Sequence, residues 1–239
     1  MKNFEQWSEK DVYFLGQAPE MLVNHLSQQI GLFTIIDLGC GDGTILNDLY
    51  KKGLLKNAEK IVGVDLSERR IRRMSIFCPF VRGLVANVCN LGKLDDSSFD
   101  IAISSQVIEH VSDTKMLREV YRILKPKGIL YISSIVKKNG FWIYRNNGFK
   151  LDPTHVREYK SKEEFVELIR NERFEPIRVN MQPIKYPITD LIIRGLIRIN
   201  LIKPSPVFYL RHKIPNILKK IKLRVPGYQT IEILARARK

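Results

Sequence analysis

One turn constrains this chain more than any other. Between a β-branched run, FTIIDLG (33–39), and a helical run, TILNDLYKKG (44–53), it reads Asp37-Leu38-Gly39-Cys40-Gly41-Asp42-Gly43-Thr44. Glycines so close together let the backbone turn sharply and approach a ligand without a Cβ in the way. A strand that feeds such a turn and then a helix belongs to an open α/β sheet, whose ligands bind outside the carboxyl ends of the strands. The alternation continues downstream. KIVGVDLS (60–67), VRGLVAN (81–87), FDIAISS (99–105) and ILYISSIV (129–136) read as strands. SERRIRRMSIF (67–77), DTKMLREVYRIL (113–124) and SKEEFVELIRNER (161–173) read as helices, with KPKG (125–128) a turn. FEPIRVNMQ (174–182) and YQTIEILARAR (228–238) close the series as strands. This pattern predicts a Rossmann-like, doubly wound, seven-stranded α/β sheet, mostly parallel with an antiparallel last strand.

Charge locates a second feature. The chain of 239 residues has a formal net charge of +15. Residues 1–182 carry only +4 of it, whereas residues 183–227 carry +9 and six of the eleven prolines. The expected organisation is one domain in four parts: an N-terminal helical cap (1–32) around APEMLVNHLSQQI (18–30), a cofactor-binding core (33–182), a basic helical insertion (183–227) and a final strand (228–239). An apolar-to-charged balance of 44% to 27% fits a folded chain and excludes a disordered one. Cys40, Cys78 and Cys89 form no CxxC pair, which predicts no disulfide framework, no structural metal and a reducing, cytoplasmic setting. The opening residues MKNFEQWSEKD have no apolar core of a signal peptide, and no uncharged apolar stretch is long enough to span a bilayer.

The turn by itself admits three readings: a plain glycine turn, a dinucleotide site, or another nucleoside site. The GxGxxG pattern of dinucleotide folds requires glycine where Thr44 stands, which weakens that reading. Asp37, ahead of the first glycine, suits a cationic ligand better than a pyrophosphate. Asp65, ending the second strand in VGVDLS, suits the two hydroxyls of a ribose.

DLGCGDG, VGVD, SFDIAISSQVIEHV and LREVYRILKPKGILYIS, in that order, resemble the class I S-adenosylmethionine-dependent methyltransferases, of the type 11 kind that includes quinone-biosynthesis enzymes. The resemblance covers about residues 33–136. It implies S-adenosyl-L-methionine as cofactor. It puts Asp37, Gly39, Cys40, Gly41 and Gly43 around the methionine end, Asp65 on the ribose and Leu66 beside the adenine. An Asp usually takes the adenine amino group after the third strand. Here Ala86-Asn87-Val88 stands there, and an Asn side-chain oxygen can accept the same bond. Ser104, Ser105 and Gln106 would face the methionine portion, and Glu109-His110 forms the family's EH pair.

Methyl transfer from an activated sulfonium needs positioning first, and a base where the nucleophile carries a proton. His110 and His155 are the candidates; packing and hydrogen bonding are their bland alternatives. His155 closes a loop that also carries Phe141, Trp142, Tyr144 and Phe149, residues fit to line a pocket. Trp7 and Tyr13 could close over the cofactor or simply pack. Ser104-Ser105-Gln106-Val107 departs from the DPPY-type motif of base-amine methyltransferases, and no Cys is placed for pyrimidine C5 chemistry. The basic insertion fits a pocket lid, a contact with an anionic membrane or lipid-linked substrate, or an RNA contact. The expected activity is methyl transfer to oxygen of a small, lipid-linked or glycan acceptor, in the cytoplasm or at the membrane periphery. An RNA methyltransferase and a non-catalytic cofactor-fold binding module are the alternatives.

Overall fold

The computed structural model describes residues 17–137, 155–187 and 222–239. The expectations placed on Trp7, Tyr13, Phe141, Trp142, Tyr144, Phe149 and the helices of the basic insertion lie outside these residues. Helix α1 (Glu20–Leu26) leads into strand β1 (Phe33–Leu38), helix α2 (Thr44–Lys51), β2 (Ala58–Asp65), α3 (Glu68–Phe77), β3 (Arg82–Val85) and β4 (Phe99–Ser105). A single 3-10 turn (Ile108–His110), α4 (Asp113–Ile123), β5 (Leu124–Lys137), α5 (Lys162–Asn171), β6 (Phe174–Pro187) and β7 (Lys222–Ala237) follow.

The seven strands form one sheet in the order β3-β2-β1-β4-β5-β7-β6. β1 pairs in parallel with β2 and β4, β2 with β3, and β4 with β5. β7 enters between β5 and β6, antiparallel to both. The expected sheet is therefore the one that forms. β1 and β4 are neighbours although two strands separate them in sequence, so the winding direction reverses between them. That reversal opens a crevice at their carboxyl ends.

Side-chain alternation explains the two cores. Ile35 faces one layer, with Met21, Leu22 and Leu26 of α1, Leu46 and Leu49 of α2, and Ile71 and Met74 of α3. Ile36 and Leu38 face the other, with Leu117 and Val120 of α4 and Phe165 and Ile169 of α5. Both layers bury their apolar stripes against the sheet, as a doubly wound fold requires.

Three boundaries differ from the sequence pattern. The first helix stops at Leu26; Gly31 has φ +85°, and Ile30, which extends the apolar pattern, is 93% exposed. The segment expected as a KPKG turn is the start of β5, made irregular by Lys127 at φ +62° and a register shift opposite β4. The closing hairpin reaches farther than expected: Lys185 pairs with Arg224, Tyr186 with Leu223 and Pro187 with Lys222. The stretch between the paired ends is thus 188–221. No helix among the described residues is long and apolar enough to cross a membrane.

Candidate functional site

β1 delivers Asp37 to the crevice and hands the chain to the glycine turn. Gly39 N and Cys40 N both donate to Val64 O of β2, at 2.7 and 2.9 Å, which ties the turn to the neighbouring strand. Gly39 has φ +75°, and a Cβ there would stand 2.3 Å from Cγ2 of Val107. No other residue fits that position. Gly43 caps α2 in a left-handed conformation, with Met74 of α3 directly against it.

Two carboxylates lie under this turn. Asp37 is buried, and its Oδ2 has no hydrogen-bond partner among the described residues. Burial, and then the nearby charge of Asp65, pushes its carboxyl up to about 7. Asp65 is buried as well; its Oδ1 accepts from Ser67 N at 2.8 Å and its Oδ2 from Gly41 N at 3.0 Å. Burial raises its pKa, while those backbone donors and the Arg70 guanidinium pull the other way. Each Asp65 oxygen keeps a second lone pair for a hydroxyl donor. Leu66 beside it is exposed at the end of β2 and presents an apolar surface.

The remaining expected site residues divide. Ser104 is fully buried, and its Oγ has no partner among the described residues. Ser105 Oγ meets Ser133 Oγ of β5 at 3.0 Å, and Gln106, with φ +58°, donates its N–H to Ser133 O. The Cys40 thiol turns inward onto Met74 Sδ at 3.6 Å, so only its backbone borders the crevice. Val88 belongs to the core. Asn87 Oδ1 accepts from Cys89 N at 2.9 Å, which gives one of its lone pairs to the local turn.

A second group lies just past β4. Glu109, His110 and His155 each bring one possible ligand atom within 4.8 Å of the others. The imidazoles of His110 and His155 meet edge to face, with centroids 4.7 Å apart. Val156 N and Arg157 N both donate to Glu109 O, which fastens the His155 segment to the 3-10 turn. The Glu109 carboxyl is buried, accepts from Ser134 Oγ at 3.0 Å and is pushed up to about 7 by burial. Val107 connects the two groups: its side chain covers Gly39 and its carbonyl accepts from His110 N at 2.9 Å.

Sequence reasoning missed Arg70. It is buried, and its Nη1 would lie 2.9 Å from a Cβ on Gly41. The signal was available, because Arg70 shares the buried face of α3 with Ile71 and Met74, where helical periodicity calls for an apolar residue. Ser134 carried no such signal; a serine within an apolar strand is ordinary.

S-adenosylmethionine carries an ammonium, a sulfonium, a carboxylate and a ribose diol. The crevice offers a buried carboxylate lacking a partner among the described residues, a second carboxylate with lone pairs to give, and a turn whose three glycines all hold positive φ. These residues fit the group.

Residues 36–132 match the family described as a methyltransferase domain. A probable S-adenosylmethionine-dependent methyltransferase of Mycolicibacterium smegmatis is 27% identical over 170 residues, covering 70% of this chain and 61% of that protein. The mitochondrial ubiquinone biosynthesis O-methyltransferase of Mus musculus is 30% identical over 122 residues, 48% of this chain and 32% of its own length. The chain thus spans less than two thirds of either curated relative. Among solved structures, geranyl diphosphate C-methyltransferase of Streptomyces coelicolor superposes with a TM-score of 0.60 at 16% identity, covering 91% of this chain and 77% of that one. That likeness concerns the fold.

Proposed function

Because the chain belongs to the class I S-adenosylmethionine-dependent methyltransferases, we propose that it moves a methyl group from that cofactor to an oxygen of a small, lipid-linked or glycan-linked acceptor. The observation that carries the reading is the buried Asp37 carboxylate, whose Oδ2 has no partner among the described residues, beside the glycine turn. A buried charge without a partner costs several kcal/mol, roughly. A site keeps one where a ligand supplies the opposite charge.

The cofactor, when bound, supplies an electrophilic methyl carbon on a sulfonium. Asp37 takes its ammonium group. Gly39, Gly41 and Gly43 admit its methionine portion against the backbone, and Ser104, Ser105 and Gln106 border that portion from β4. Asp65 takes the ribose hydroxyls, with Leu66 and the Asn87–Val88 turn on the adenine side. His110 and His155, joined to Glu109, handle the acceptor and remove its proton. The oxygen acceptor draws support from the O-methyltransferase relative and from this imidazole pair, since a hydroxyl must lose a proton and a preformed carbanion need not. Positioning supplies most of the rate in such an in-line displacement.

We place the enzyme in the cytoplasm, touching anionic membranes through residues 188–221, which carry seven basic residues against one acid. The decisive experiment incubates the protein with extracts and methyl-labelled cofactor. Label in lipid or glycan fractions supports the reading. Label confined to RNA replaces it with the RNA alternative, and cofactor binding without any labelled product replaces it with a binding module. Cosedimentation with anionic liposomes, before and after joining Pro187 to Lys222 by a short turn, tests the membrane contact.

A further inference from the structure

Glu109, His110 and His155 come from two stretches far apart in sequence, yet a possible ligand atom of each lies within 4.8 Å of the others. Three atoms at that spacing stand about 2.8 Å from a common centre, whereas zinc bonds to imidazole nitrogen or carboxylate oxygen run about 2.0–2.2 Å. Closure therefore asks less than about 1 Å of each side chain. The two rings cross at 73° rather than stack, which lets a nitrogen of each converge on one point. We propose that Glu109, His110 and His155 form a binding site for a divalent transition-metal ion of the zinc type.

The surroundings suit that role. Ligand carboxylates and imidazoles are commonly oriented by outer hydrogen bonds. Ser134 Oγ holds one Glu109 oxygen at 3.0 Å by a hydrogen bond, and the Glu158 carboxylate lies at ion-pair range, 3.9 Å, from His155 Nδ1. The backbone clamps from Val156 and Arg157 to Glu109 O fix the His155 segment. Arg157 in turn pairs with Asp113 and with Glu164, at 3.2 Å for the latter, so the segment is fastened from both α4 and α5. Two nitrogens and one oxygen favour zinc and its neighbours over magnesium, which prefers an all-oxygen shell. Three protein ligands also leave a position open.

This inference deepens the oxygen-acceptor reading and rests on it for its chemistry. With both imidazoles engaged as ligands, metal coordination takes over the role of a histidine base: an acceptor hydroxyl at the open position loses its proton to solvent more readily once coordinated. Its oxygen lone pair then forms the bond to the methyl carbon. The carbon–sulfur bond breaks, its electron pair stays on sulfur, and the sulfonium leaves as a neutral thioether.

The test titrates Zn2+ into the chelator-stripped full chain by calorimetry, with Mg2+ as a parallel arm. One equivalent of Zn2+ is expected to bind far more tightly than Mg2+. His155→Ala and Glu109→Gln should each weaken Zn2+ binding by more than the roughly 10–100-fold typical of losing an outer partner of a ligand, while cofactor affinity, measured on the same samples, certifies the fold. Visible absorption of the Co2+-loaded wild-type protein reports nitrogen and oxygen ligation without any variant. A wild-type chain that takes up no stoichiometric Zn2+, or a folded His155→Ala that binds it as tightly, overturns the site. Those results leave the methyl-transfer reading standing, because it is judged by labelled products. Zinc binding together with label on a non-oxygen acceptor would retain the site and discard the oxygen chemistry.

Discussion

Two buried carboxylates in this molecule have opposite surroundings. Glu232, on β7, sits in the antiparallel half of the sheet and accepts from Tyr131 Oη at 3.0 Å, Asn180 Nδ2 at 3.4 Å and Gln182 Nε2 at 3.4 Å. Asp37, on β1, sits in the parallel half, and its Oδ2 has no such partner among the described residues. Strands of 14 and 16 residues frame Glu232; a six-residue strand running into left-handed turns carries Asp37. The first arrangement completes itself and contributes to stability. The second is complete only with something added, and that incompleteness separates a site from a scaffold.

The contrast is open to experiment. Asp37→Ala should lower cofactor affinity by about 100-fold or more, since it removes one partner of a buried charge pair. Its cofactor-free melting temperature should hold or rise, because the substitution also removes a buried charge. Tight binding by calorimetry in this variant would collapse the assignment. Glu232→Ala should do the reverse. It strands three donors and should cost about 2–4 kcal/mol in denaturant unfolding, with cofactor affinity within about twofold of wild type.

Gly39→Ala should have a smaller effect on both readouts. It forces a side chain into φ +75° against Val107, at a cost of about 1–3 kcal/mol. Adding Val107→Ala should return part of that loss and leave the backbone strain.

The pH dependence follows from Asp37. Its folded pKa, about 7, lies above the ordinary 3.8. The folded, cofactor-free protein therefore binds more protons than the unfolded chain between those values. The associated stability is fully present below the unfolded pKa and is lost as pH rises through about 7. Cofactor affinity should move the opposite way, rising toward pH 7 by at most about tenfold per unit, because in the proposed complex the ionised carboxylate pairs with the ammonium. Asp37→Asn should flatten the affinity profile and remove the Asp37 part of the stability profile, leaving the part that the raised Glu109 carboxyl supplies, whereas a Glu232 variant should retain both. The smallest effect is expected for Asn87→Ala. Its Oδ1 already serves Cys89 N, so affinity should drop by less than about fivefold.

Much of the parallel half was legible beforehand. A period-two apolar pattern, a Ser at the start of α3 and glycines after β1 are local signals, and each acts within a few residues of itself. Ser67 does cap α3, accepting from Arg70 N at 3.3 Å. The hairpin's reach to Lys185 and Arg224 was not legible, because prolines and lysines weaken strand propensity and only the partner strand supplies the missing hydrogen bonds. Arg70 was legible but overlooked: helical periodicity places it on the buried face of α3 with Ile71 and Met74.

The sequence by itself determined the order of strands and helices, the glycine turn and the acids that end β1 and β2, because these depend on spacing along the chain. Tertiary structure decided which of those acids lacks a partner. It also brought His155 to Glu109 and His110, and turned the Cys40 thiol inward while leaving Leu66 exposed. Partnership and burial are properties of neighbours in space, and a doubly wound sheet takes those neighbours from strands and loops that the sequence keeps far apart.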